Sequence, residues 1–272
     1  MKTTGGANHT ASHAVRDYVR KVLTAVAIAV CVGVCLSGCS APGAAKNKGA
    51  DSSASSSSSS SASAPQSAEG SDRQHYASSL KAYAEWMLKS DDDIRKDSNS
   101  TQIPMSDAQR DIINRAIAHE GKVSRADYEQ SWMNFRSCIM NRGWTDPKPT
   151  AYGGFYAVPS MNEEGMSKTQ DEKLVSDLNF CSISENTNTD QLYRTQESNP
   201  ELSTDSDQLL VNCLIQKKVA PTSYTKEQFS KDWSSDSAPA FFSSAEAQEC
   251  FTLYQYGVAN AQDADSYWKP LG

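Results

Sequence analysis

Tyr128-Glu129-Gln130-Ser131-Trp132-Met133-Asn134-Phe135-Arg136-Ser137-Cys138-Ile139 decides the fold of this 272-residue chain. Tyr128, Trp132, Phe135 and Ile139 recur at spacings of four, three and four, which puts them on one stripe of a helix, with Cys138 beside them facing the same way. Such a stripe is core. Just upstream, Gly121 suits the left-handed residue that follows a helix, and Ser124 with Asp127 forms a capping box that restarts one. Ahead of that turn a helix near Ser106–His119 is expected, with Ser106 and Gln109 as its capping box and Ile112, Ile113, Ala116 and Ile117 as its buried face. A first helix, Arg73–Lys96, carries Tyr76, Leu80, Tyr83, Met87 and Ile94 at helical spacing, widened by Trp86 and Leu88. The 116–127 stretch also has the outline of a calcium loop, but Ala116 and Ala118 stand where its first ligands belong, so no metal site is expected.

Downstream of the key helix the pattern changes. Pro147 and Pro149 break it, and Tyr152-Gly153-Gly154-Phe155-Tyr156 reads as two short strands around a Gly-Gly turn. Trp144, Tyr152 and Tyr156 are candidate binding residues, since flat rings near one turn make a platform for a sugar or peptide; the same rings also suit the core of a small hairpin. Residues 164–183 are again helical, with Leu174, Leu178 and Cys181 on one face. Thr225 with Gln228, and Ser243 with Glu246, read as capping boxes in a helical remainder. Ala247, Cys250, Phe251, Tyr254 and Val258 form its last stripe, and Pro270 stops it. The expected class is mainly α with a short β-hairpin, α+β being the lesser alternative.

A weak repeat runs through this chain. Phe135–Arg142 can be laid on Leu210–Lys217 with Cys138 over Cys213, although the second copy has Lys218 and Val219 where the first has Gly143 and Trp144. Each cysteine is followed by another, Cys181 and Cys250. Four cysteines allow three connectivities. The repeat implies the local one, Cys138 with Cys181 and Cys213 with Cys250, each closing a loop worth roughly 4 kcal/mol in chain entropy. Zinc is the rival use of such cysteines, but it usually draws on a close Cys-x-x-Cys pair, and none is present.

The amino-terminal quarter is organised differently. Lys2, Arg16, Arg20 and Lys21 precede an apolar run, Val22–Leu36, that ends in Leu36-Ser37-Gly38-Cys39. The run is near 15 residues, short of the about 20 needed to cross a bilayer, and the three parts have the order of a signal peptide. The tetrapeptide resembles the lipobox of bacterial lipoproteins. The resemblance implies cleavage before Cys39, lipidation of its thiol, and placement at the extracytoplasmic face of the membrane; Cys31 and Cys35 would leave with the peptide. Residues 1–38 are thus read as signal peptide, 39–71 as lipidated cysteine and disordered tether, and 72–272 as a helical ectodomain, divided by its cysteines into 72–200 and 201–272. Ser52–Ser63 is almost all serine and alanine, so nothing in the tether offsets the entropy of ordering.

Removing residues 1–38 takes away four basic side chains and one acidic one, leaving 22 Lys and Arg against 32 Asp and Glu, a charge of −10. That balance excludes a nucleic-acid partner, whose phosphates need a basic footprint. Gly121, Val123, Ser124, Tyr128, Glu129, Phe135, Cys138, Gly143 and Trp144 together resemble a motif of actinobacterial predicted lipoproteins, a family of unassigned activity. The resemblance implies secretion, anchoring and a paired cysteine, and brings no catalytic residue or cofactor. Gly-x-Ser-x-Gly, His-Glu-x-x-His and phosphate-cradling loops are absent from the sequence. The favoured reading is a surface module that binds or scaffolds, its partners being the membrane through the anchor and an envelope protein or wall polymer. The alternatives are an envelope enzyme using carboxylates, for which Glu129, Asp146 and Glu163 are candidates, and an accessory lipoprotein of a transporter.

Overall fold

The computed structural model describes residues 75–235, 237–256 and 267–272. The signal peptide, Cys39, the serine tether and Val258 lie outside the described residues. Within them the chain is mainly helical with one small antiparallel hairpin. The helices are α1 (Leu80–Lys96), α2 (Asp107–Ala118), α3 (Arg125–Asn141), α4 (Lys168–Glu185), α5 (Thr187–Ser198), α6 (Ser206–Gln216), α7 (Lys226–Ser234) and α8 (Ala245–Leu253), with a 3-10 turn at Ala240–Ser243. β1 (Thr150–Tyr152) and β2 (Phe155–Ala157) pair with Tyr152 opposite Phe155. Gly153 and Gly154, at φ +55° and +89°, supply the two left-handed residues that such a tight turn requires.

The first helix begins seven residues later than expected. Ser79 caps it by accepting from the Ala82 amide, while the preceding residues are extended: His75 bridges antiparallel to Ser203, and the Tyr76 amide donates to the Leu202 carbonyl at 2.9 Å. An amide committed to another strand cannot serve a helix. The second helix is capped by Ser106, which accepts from the Gln109 amide. Gln109 does not return the bond. Its Nε2 donates instead to Ile183 and Ser184 carbonyls, and its Oε1 accepts from the Asn188 and Thr189 amides, splinting the break at Asn186 where α4 hands over to α5.

Gly121 is needed for space as well as for its φ of +83°: a Cβ there would meet the backbone of Leu80 and Lys81 at 2.4 Å. The last described helix ends at Leu253, well ahead of Pro270, which belongs to a separate extended segment.

Two hydrophobic clusters result. One joins Tyr83, Met87, Ile112, Ile113, Tyr128, Trp132, Phe135, Ile139, Leu174, Leu178 and Leu192 from α1–α5. The other joins Leu210, Leu214, Phe229, Phe242, Cys250 and Phe251 from α6–α8 and the 3-10 turn. Trp268, late in the chain, packs into the first. The disulfides follow the local pairing: Cys138–Cys181 ties α3 to α4 and Cys213–Cys250 ties α6 to α8, with Cα separations of 5.7 and 5.9 Å. No described helix is long and apolar enough to cross a membrane.

The repeat has a backbone counterpart. Five residues after Cys138, Cys213 and Cys250 stand Gly143, Lys218 and Gln255, all left-handed, at φ +94°, +60° and +60°. In each case that residue's amide bonds the carbonyl two places after the cysteine, and the next amide bonds the carbonyl one place after it. This is the paired-bond cap that closes many helices. Cys181 is the exception, because its helix is continued by α5.

Candidate functional site

The three aromatic candidates do not gather into an exposed platform. Trp144 is 7% exposed; its indole N–H donates to Asp177 at 2.8 Å, and the Lys173 ammonium lies 4.7 Å from the ring centre. Burial alone pushes the Asp177 carboxyl up, but hydrogen bonds from Lys173, Trp144 and Arg142 outweigh it and hold the carboxyl below the usual range. Tyr156 stacks on Tyr128 at 5.8 Å and donates its amide to the Tyr128 hydroxyl. Tyr152 is half-buried beside the turn, where desolvation raises its phenol. These rings are hairpin core rather than ligand platform, because Asp177 gives the indole a buried acceptor and Tyr128 gives Tyr156 a stacking partner.

The hairpin faces a polar node that sequence reading missed. In α5, Asp190 and Arg194, four apart, are both buried and pair at 2.7 Å. Trp132 Nε1 and Gln255 Nε2 donate to Asp190 at 3.2 and 2.8 Å. Arg194 donates to the Tyr156 carbonyl at 2.5 Å and to the Thr252 carbonyl of α8. The Glu249 side chain of α8 lies 3.2 Å from where a Cβ on Gly153 would stand. Hairpin and node together are therefore the seam between the two cysteine-paired units. Buried charges persist only when paired and hydrogen-bonded, and here the partners come from α3, α8 and β2.

The remaining candidates are dispersed. Glu129 pairs with Arg125 at 2.8 Å and Asp146 with Arg136. Glu163, on an exposed turn, has its carboxyl raised by partial desolvation and by neighbouring Asp171. The described residues include a shallow cleft of about 160 Å³ lined by Asn162, Glu164, Lys269, Leu271 and Gly272, with a single carboxylate in it. Among the described residues no three His, Cys, Asp or Glu side chains converge on a metal position.

The surface does carry aromatic rings, on α1 rather than on the hairpin. Tyr83, 2% exposed, stacks with Tyr76 at 5.0 Å and with Trp86 at 5.9 Å. Tyr76 and Trp86 are 40% and 46% exposed. Tyr76 is pinned by its backbone to Leu202, and Trp86 is held on a capped helix, so both rings are set in place before any contact is made. The ion pair Lys89–Asp93, 2.5 Å, lies one and two turns beyond Trp86 and leaves the face near neutral. The amphipathic pattern of this helix was legible, but its stripe assigned Tyr76 and Trp86 to the core. No family model matches the chain, and no curated protein and no solved structure is similar to it.

Proposed function

We propose that this chain is a lipid-anchored lipoprotein of the bacterial envelope that works by contact, as a binding or scaffolding module, with the α1 face as its recognition surface. Acyl chains on Cys39 would hold it at the extracytoplasmic face of the membrane, and residues 40–71 would let it reach a neighbouring envelope protein or a neutral wall polymer. The observation that carries this reading is the exposed pair Tyr76 and Trp86, locked through buried Tyr83. Large rings held in one conformation contribute contact area with little entropy to lose. Two disulfides support an oxidising compartment.

Metabolic labelling with a fatty-acid analogue should mark the wild type and not Cys39→Ala. In-cell crosslinking and wall-polymer sedimentation should both be run with Tyr76→Ala/Trp86→Ala, which touches neither disulfide. Loss of one retained partner in the folded double variant is the expected result. Unchanged partners would remove α1 from the function, and turnover of a wall fragment, abolished by Glu163→Gln, would replace contact with catalysis.

A further inference from the structure

The segment Tyr267–Gly272 lies on the first unit as a docked strand. Trp268 pairs with Met161 in a parallel bridge: its amide donates to the Ser160 carbonyl at 2.9 Å and its carbonyl accepts from the Asn162 amide at 2.8 Å. On the other side Thr145 takes three further contacts. Its hydroxyl accepts from the Trp268 indole at 2.8 Å and donates to the Lys269 carbonyl at 2.6 Å, while its amide donates to the Pro270 carbonyl at 3.1 Å. Burial alternates along the segment, with Trp268 and Pro270 in and Lys269 and Leu271 out.

Strand addition to a groove works in this way. Main-chain bonds give affinity for any extended chain, and pockets for alternate side chains select its sequence. The backbone atoms used are the 268 amide and the 268, 269 and 270 carbonyls, so a proline at 270 forfeits nothing. The buried indole with its own acceptor is the selective element.

We infer that the channel between Thr145 and Ser160–Asn162 is a docking groove for an extended peptide of the pattern Trp-x-Pro, which the chain fills with its own Tyr267–Gly272 segment. The strap is then a competitor that an incoming peptide must displace. This groove is separate from the α1 face, and the inference stands whether or not that face binds a partner.

The probe is a fluorescent peptide with the sequence of residues 267–272, titrated against the full chain and against full-length Trp268→Ala by anisotropy. The peptide should bind Trp268→Ala, and bind the wild type about tenfold or more weakly, since apparent affinity falls with the fraction of open groove. A peptide with alanine for tryptophan should not bind. Equal binding of the two peptides by folded Trp268→Ala, or binding of neither, overturns the proposal. Hydrogen exchange on the wild type decides the matter if the variant does not fold. The Asn162 and Trp268 amides should exchange together and ahead of Phe135 and Ile139. Exchange in step with those core amides would make the strap an inseparable part of the fold, and the groove no docking site.

Discussion

The two cysteine-paired units use the same device to different ends. In each, a helix bearing the first cysteine ends five residues later on a left-handed residue, and a disulfide of similar span, 43 or 37 residues, ties it to a later helix. The first unit surrounds its bridge with five helices and a set of buried carboxylates. The second has three short helices and a core dominated by Phe229, Phe242 and Phe251. The difference teaches that the bridge is reinforcement in one unit and a main support in the other, since a small core stabilises little on its own.

Removing Cys213–Cys250, as Cys213→Ser/Cys250→Ser, should therefore be the largest effect: a loss of about 4 kcal/mol, with the α6–α8 unit losing exchange protection while α1–α5 keeps it. Cys138→Ser/Cys181→Ser should lower the melting temperature and leave both units folded. Uniform loss of protection in both variants would erase the distinction. Next comes the seam. Asp190→Asn strips the buried Arg194 of its charge partner and should cost about 3 kcal/mol, read as a lower urea midpoint. It should leave each disulfide formed, and a change below ~1 kcal/mol would show that the pair is not buried in solution.

The helix ends give a smaller and sharper test. A non-glycine residue at positive φ is strained, so Lys218→Gly should stabilise by up to about 1 kcal/mol. Gly143→Ala should destabilise by a similar amount, for conformational reasons alone, because a Cβ there meets nothing within 4 Å. Opposite signs would confirm that the two positions are equivalent; equal signs would break the repeat.

The smallest effect concerns acid. Asp146 is held low by Arg136, and Asp127 and Asp177 are held low by their partners against the opposing push of burial. In the second unit Asp205 is held low by Lys226. A depressed carboxyl contributes stability above the unfolded value, near 4, which is lost as pH falls through the folded value. With three such groups against one, the first unit should loosen earlier in an acid titration followed by NMR.

The α3 stripe, the Gly-Gly hairpin and the cysteine pairing were legible because each is a local pattern: a period, a turn signal, a repeat. The seam was not. Thr187–Ser198 has only Leu192 and Tyr193 as large apolar residues, so it reads as exposed; Thr189, Asp190 and Arg194 are buried because Trp132, Tyr156, Thr252 and Gln255 arrive from elsewhere. Gln109 shows the same limit. Its capping role followed from spacing, yet its amide is spent on a helix junction some 75 residues away. Trp144 was rightly singled out as an unusual aromatic, but its burial depends on Asp177, which no spacing rule connects to it.

The His75–Ser203 bridge has a mechanical consequence. Any tension applied through the chain upstream of His75 enters the described structure at the His75 contact to Glu201 and the Tyr76 contact to Leu202. Those contacts grip the connection between α5 and α6, so a pull on the leading end loads neither covalent bridge. It falls first on the few hydrogen bonds at the border of the two units, where tugging at a leash would be felt by both at once.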